Sequence, residues 1–161
     1  MLCSEYYLDN PLEGIKIIVE AFNYIYNIDY VDCMFDETMD TKIKRIEKDF
    51  KDDKITDARY SKRFPTRMSM LKYLKGNKPK PIIGLTHGDM SLPNIFGHNG
   101  HFTGLLDVDE CGISDIYYDI VICEISIERN YGKEYVDVFY KELGIEKDEF
   151  KSDYYRIYQV I

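Results

Sequence analysis

His87-Gly88-Asp89-Met90-Ser91-Leu92-Pro93-Asn94 runs directly into Ile95-Phe96-Gly97-His98, Asn99-Gly100 and His101-Phe102-Thr103-Gly104-Leu105-Leu106-Asp107. Asn-Gly between two strand-like runs signals a β-hairpin, because both central residues of the turn need positive φ. With that turn, facing residue numbers sum to about 199. Asn94 is then expected opposite Leu105, with Asp107 just beyond. Both stand at the open end of the hairpin, on strands ~5 Å apart, and Asp89 precedes that end by a short loop. Three oxygen-bearing side chains converge on one mouth.

Upstream, the pattern is helical. Asn10-Pro11-Leu12-Glu13 reads as a helix start, with Asn10 as cap, Pro11 in the first turn and Glu13 reaching back as in a capping box. Leu12, Ile15, Ile18, Val19, Phe22, Ile25 and Tyr26 follow at helical spacing. A second helix is expected after Asp40 with Ile43, Ile46 and Phe50 inward. Residues 51–65 are polar and charged and read as a loop. Thr66 is expected to cap a third helix carrying Met70, Leu71 and Leu74, which Gly76-Asn77 and Pro79 end. Ile82 to Thr86 is a candidate strand. Beyond Asp109 helices return: Ser114 as cap of one reaching about Arg129, another from Lys133 to Leu143 before Gly144, and a last from Glu149. The expected layout is one domain over 1–161, helical over 1–80, with catalytic loop and hairpin over 82–109 and helices again over 114–161.

A carboxylate beside an amide oxygen suits a hard cation such as Mg²⁺, which takes one or two carboxylates and completes its shell with phosphate and water. A second carboxylate, free of the metal, can accept a proton from an attacking hydroxyl. Protein kinases arrange these parts as H-R-D-x-x-x-x-N followed by a metal-binding Asp. Asp89 and Asn94 have that separation, and Asp107 stands where the later Asp belongs. Asp and Asn near turns more often only bend the backbone, but three at this spacing on one hairpin point to phosphoryl transfer. A metal-dependent hydrolase built on His87, Asp89, Asp107 and Asp109 is the weaker alternative, since no further ligand stands nearby.

His87-Gly88-Asp89-x-x-x-x-Asn94 with Leu106-Asp107 resembles the aminoglycoside phosphotransferase and choline kinase group, in which Gly replaces the kinase Arg. Cys3-Ser4-Glu5-Tyr6, Tyr118-Asp119-Ile120 and Leu143-Gly144-Ile145 look like segments of the aminoglycoside 3'-phosphotransferases, so the likeness covers nearly the whole chain. It implies an α+β, mainly helical fold, the C-terminal lobe of the protein-kinase-like fold with a small catalytic β-hairpin. It implies Asp89 as catalytic base, Asn94 and Asp107 as Mg²⁺ ligands, His87 and Asp119 as structural support of the site, and ATP or GTP as phosphoryl donor. The implied reaction is ATP-dependent transfer to a hydroxyl of a small molecule, of aminoglycoside type and hence antibiotic resistance. The alternatives are a non-catalytic isolated lobe and a kinase for a different alcohol.

Two departures from that family are legible. Its members carry a β-rich N-terminal lobe of roughly 100 residues with a phosphate loop and a Lys, and neither precedes Asp89 here. The expectation is that the nucleotide lobe is absent, with a separate N-terminal lobe as a partner. The second departure concerns the acids that receive polycationic acceptors. The loop position is Leu92, the end reads Tyr158-Gln159-Val160-Ile161, and Asp109-Glu110 replaces the common Gly-Arg. Asp49, Asp52, Asp53 and Asp57 precede the site, but so do Arg59, Lys62, Arg63 and Arg67. If those face the pocket they repel an aminoglycoside, unless Glu110 or Glu128 rebuilds the acidic lining.

Bulk properties narrow the partners. The 161 residues carry a net charge of -8, so nucleic acid is an unfavourable partner. The most apolar run, Ile15 to Phe22, is interrupted by Lys16 and Glu20, and no membrane partner is expected. No signal peptide is visible, and four cysteines without a CxxC pair read as reduced thiols in a cytoplasm. His98 and His101 read as solvated turn residues, and the 15 tyrosines as half-buried helix faces.

Overall fold

The computed structural model describes residues 1–5, 7–52, 54–55 and 61–161. Six helices surround two small sheets among them: α1 (Pro11–Tyr26), α2 (Met39–Lys51), α3 (Arg67–Gly76), β1 (Ile83–Thr86), a 3-10 turn (Leu92–Asn94), β2 (Ile95–His98), β3 (His101–Leu105), β4 (Gly112–Asp115), α4 (Tyr117–Asn130), α5 (Glu134–Leu143) and α6 (Glu149–Tyr158). The fold is α+β and mainly helical. β1 pairs antiparallel with β4, and β2 antiparallel with β3.

The hairpin forms at Asn99-Gly100, whose φ values are 51° and 77°. Near the turn the register follows the expected sum, with His98 opposite His101 and Gly97 opposite Phe102. A bulge between Phe96 and Gly97 then shifts it, so Ile95 faces Leu105. Asn94 therefore meets Leu106, whose N–H donates to the Asn94 carbonyl at 2.9 Å. The expected Asn94–Leu105 pairing is off by one residue because a bulge inserts one extra residue on one strand.

Residues 1–3 lie along the other edge of β2. The Met1 ammonium donates to the Gly97 carbonyl at 2.9 Å, Gly97 N–H returns a bond to the Met1 carbonyl at 2.8 Å, and Cys3 N–H reaches Ile95. Burial pushes the Cys3 thiol up to about 12.

The helix starts depart from expectation in two places. Asn10 does not cap α1; its Nδ2 donates to Glu13 Oε2 at 2.8 Å, so the two side chains satisfy each other. Leu12 is exposed, while Ile17 and Ala21 join Ile15, Ile18, Phe22 and Ile25 in the core. Ser114 does not open a helix. Its residue belongs to β4 and its Oγ donates to the Glu37 carbonyl at 2.8 Å, so α4 begins only at Tyr117. The expected helical span over 114–161 thus starts with a strand. Thr66 does cap α3, exchanging bonds with Ser69 in a full capping box. Gly144 ends α5 in the left-handed conformation.

α4 is the central element, packed against α5, α6 and the 3-10 turn. It is buried nearly all round, including Asp119, Glu124 and Ser126. Tyr117, Tyr118, Tyr154 and Tyr155 are buried rather than half-buried, and hydroxyls among them find partners: Tyr155 donates to Asp115 and Tyr154 to the Leu74 carbonyl. Among the described residues no helix is long and apolar enough to cross a membrane.

Candidate active site

The loop after β1 carries His87, Gly88 and Asp89, and α4 holds it at both ends. Asp119 accepts from His87 N–H at 2.6 Å and from Gly88 N–H at 2.9 Å. Seven residues on, which is two helical turns and so the same face, Ser126 Oγ accepts from Leu92 N–H at 3.0 Å. Asp119 is fully buried, and burial pushes its carboxyl up to about 7 against the two backbone donors and Lys42. Ser126 escaped sequence reasoning; its spacing from Asp119 was the only signal available.

Gly88 has φ 92°, and a Cβ there would lie 2.5 Å from Glu110 Cβ and from the Glu110 carbonyl oxygen. Glycine is required on both counts. Glu110 is itself held by Lys42, whose Nζ lies 3.0 Å from Glu110 and 3.2 Å from Glu37, and 4.7 Å above the Tyr118 ring. The Lys42 side chain is buried, so α2 reaches through to the loop that follows Asp107. Nothing in the linear sequence singled out Lys42.

Asn94 closes back on the same loop. Its Nδ2 donates to the Asp89 carbonyl and to Asp89 Oδ2, both at 2.9 Å, and approaches Ser91 Oγ at 3.4 Å. The amide nitrogen is thereby spent on Asp89, and the amide oxygen remains for a cation or another donor. Asp107 follows the strand that faces Asn94. It is exposed and adopts φ 57°, a left-handed conformation uncommon outside Gly, Asn and Asp. His87 is buried beneath. Its Nδ1 accepts from Asp89 N–H at 3.3 Å, and its Nε2 finds no partner of hydrogen-bonding geometry. Burial pushes the imidazole pKa down, opposed by the Leu106 carbonyl and by the carboxylates of Asp89 and Asp107. The five residues singled out thus fall within one contiguous region: Asp89 bonded to Asn94, His87 bonded to Asp89 and Asp119, and Asp107 one residue past Asn94's partner.

A cavity of about 550 Å³ opens beside Asp89. Ser91, Asn130, Gln159, Arg129 and Arg156 contribute its polar lining. Leu92 is buried in the core instead. Of the basic residues that would repel an aminoglycoside if they faced the pocket, Lys62, Arg63 and Arg67 do not line this one; Arg63 grips Asp153 with bonds of 2.6 and 2.7 Å. Arg59, Asp53, Asp57 and Tyr6 lie outside the described residues. Glu110 and Glu128 do not rebuild an acidic lining, because Glu110 turns to Lys42 and Glu128 to Arg156. The arginines that do line the cavity, on α4 and α6, stood in parts of the sequence that gave no hint of it.

Hairpin, loop and helical floor together define a lobe of the kinase-like fold. The chain belongs to the phosphotransferase enzyme family, whose model matches residues 35–156. It is 31% identical over 162 aligned positions to an aminoglycoside 3'-phosphotransferase of Enterococcus faecalis, covering 96% of this chain and 61% of the relative. A Staphylococcus aureus enzyme of the same name is 30% identical, at 96% and 62%. The chain thus spans about three fifths of the length of these relatives. Among solved structures, an aminoglycoside 3'-phosphotransferase of type VIII superposes with a TM-score of 0.82 at 17% identity, covering 99% of this chain and 64% of that one. An aminoglycoside phosphotransferase of Streptomyces rimosus in complex with ADP and streptomycin superposes at 0.71 and 15% identity, covering 90% and 60%. At such identities these two show the fold.

Proposed function

We propose that this chain is the catalytic lobe of a phosphotransferase that moves the terminal phosphoryl group of ATP, or GTP, to a hydroxyl of a small molecule. The observation that carries the reading is the bonding of Asn94 to both the backbone and the carboxylate of Asp89 at the mouth of the hairpin. Asp89 receives the hydroxyl proton as the oxygen attacks. Asn94 fixes the Asp89 carboxylate, and Asp119 and His87 fix the loop that bears it. The donor set fits a hard cation: Asn94 keeps an amide oxygen and Asp107 offers an exposed carboxylate. Those two would hold Mg²⁺, which when bound neutralises charge on the nucleotide phosphates. Among the described residues no group of three or more His, Cys, Asp or Glu could hold an ion by itself, in keeping with a metal that takes the rest of its ligands from nucleotide and water.

The phosphate-gripping loop and Lys that the family's chemistry uses have no counterpart before Asp89 in this sequence. Because the chain spans about three fifths of its relatives' length, we assign them to residues outside these 161. The relatives' names make aminoglycosides the acceptors to test first.

The test joins this chain to the N-terminal lobe of the Enterococcus faecalis relative and follows phosphoryl transfer from labelled ATP. The acceptors are aminoglycosides, neutral polyols, sugar phosphates and sugar acids. Nucleotide-dependent labelling of an alcohol is expected, with Asp89→Ala lowering kcat about 10²-fold or more and disturbing nucleotide affinity less. Turnover that survives Asp89→Ala would remove Asp89 from the role of base. The chain alone, lacking the phosphate clamp, is expected to transfer several orders of magnitude more slowly.

A further inference from the structure

The Asp89 cavity is charged in the opposite sense to a polycation site. Among the described residues its lining holds one carboxylate, Asp89, and two guanidinium groups, Arg129 and Arg156. Arg156 is already occupied: it donates to both Glu128 oxygens at 3.1 and 2.8 Å and to Glu124 at 2.7 Å. Neither glutamate lines the cavity. Arg129 is exposed in the last turn of α4, and its side chain forms no ion pair with the described residues. A cation at a helix C-terminus is favourable in itself. That explains why Arg129 is tolerated there, but not why the described residues of the wall beside Asp89 include no second acid. The other described residues of the lining are neutral or apolar, among them Ile122, Ile125 and Gln159.

We infer that the acceptor bound beside Asp89 is an alcohol bearing an anionic group, a phosphate or a carboxylate, which pairs with Arg129. This rests on the reading of Asp89 as the base of a phosphotransferase. A polyamine entering the cavity would find a single carboxylate among the described residues. An ammonium seated on it would occupy the oxygens that must receive the hydroxyl proton, while Arg129 repelled the rest of the molecule. An anionic alcohol divides the two charges correctly. Its phosphate or carboxylate takes the planar fork of Arg129 in two parallel bonds, and its hydroxyl is left to Asp89. The overall charge of -8 opposes the approach of an anion. That field is screened beyond a Debye length of about 8 Å, whereas a contact pair is screened far less.

Calorimetric titration of the 161-residue chain, without nucleotide, tests the inference. The probes are glucose 6-phosphate and glycerol 3-phosphate, glucuronate and glycerate, the neutral glucose and glycerol, and kanamycin. At least one anionic probe is expected to bind about tenfold or more tighter than its neutral counterpart, and tighter than kanamycin. The phosphate and carboxylate arms tell which anion is preferred. Arg129→Glu is expected to abolish that preference and to strengthen kanamycin binding about tenfold. Arg129→Gln is expected to abolish the preference without the gain, and serves if the charge reversal disturbs folding. Three results each overturn the inference: kanamycin binding more tightly than every anionic probe, no anionic probe exceeding its neutral partner, or a preference that survives both substitutions. Its failure is separable from that of the proposed function. Phosphorylation of kanamycin would overturn this inference and uphold the transferase. Binding of anionic alcohols with no transfer to any acceptor in the joined protein would do the reverse.

Discussion

Asp119 shows how one residue carries both stability and geometry. Its ordinary carboxyl range is near 4 in the unfolded chain, and burial raises it to about 7 in the folded one. Between those values the folded state keeps a proton that the unfolded state has released. Stability from this group is therefore fully present below about pH 4 and is lost as pH rises through 7. Asp119→Asn is uncharged throughout and is expected to remove that component. Comparing urea midpoints at pH 4.5 and 7.5, the variant should lose less stability than the parent on going up in pH, by at most about 4 kcal/mol. An unchanged difference between the two proteins at both pH values would show that the acid is ionised in the fold. Residues of this kind were legible only through the family likeness, because Tyr118-Asp119-Ile120 gives no sign by itself of the two backbone donors it meets 31 and 32 positions earlier.

At the scale of elements, the hairpin was readable and the strand after it was not. Asn99-Gly100 announces its turn locally, so β2 and β3 follow from short-range chemistry. The bulge at Phe96 and Gly97 has no such signature, and it alone moves Asn94 from Leu105 to Leu106. β4 exists because β1 pairs with it, Ile83 to Asp115 through Thr86 to Gly112. Such pairing across some 30 residues leaves only four positions of pattern, too few to separate a buried strand from the first turn of a helix. The turn's demand can be tested by substitution. Gly100→Val places a branched side chain at φ 77° with Glu13 already 3.1 Å from its Cβ, and should cost about 1–3 kcal/mol. Gly104→Val in the same hairpin has open space around it and no positive φ, and should be close to neutral. Equal urea midpoints for the two variants would contradict the strained turn.

At the scale of the molecule, the catalytic loop sits on α4, and α4 is clasped by α5 and α6. Glu124 centres that clasp, accepting from Tyr140 at 2.6 Å and from Ser152, with Lys147 and Arg156 beside it. Burial works against its ionisation, but these donors and cations hold its carboxyl below the usual range. Met1 is bonded to Gly97 on the hairpin, and Gln159 and Val160 line the Asp89 cavity. Removing Gln159, Val160 and Ile161 is expected to weaken the binding of acceptor probes about tenfold while lowering the thermal midpoint by no more than a few degrees. A loss of the whole folding transition would instead make the tail part of the core. The practical consequence lies in labelling: a fluorophore or affinity tag beside Gln159 and Val160 reports on the site and disturbs it together. A silent label belongs at an exposed stretch such as Asn77-Lys78, which lies outside the Asp89 cavity and where Lys78 pairs with Asp40 at the surface.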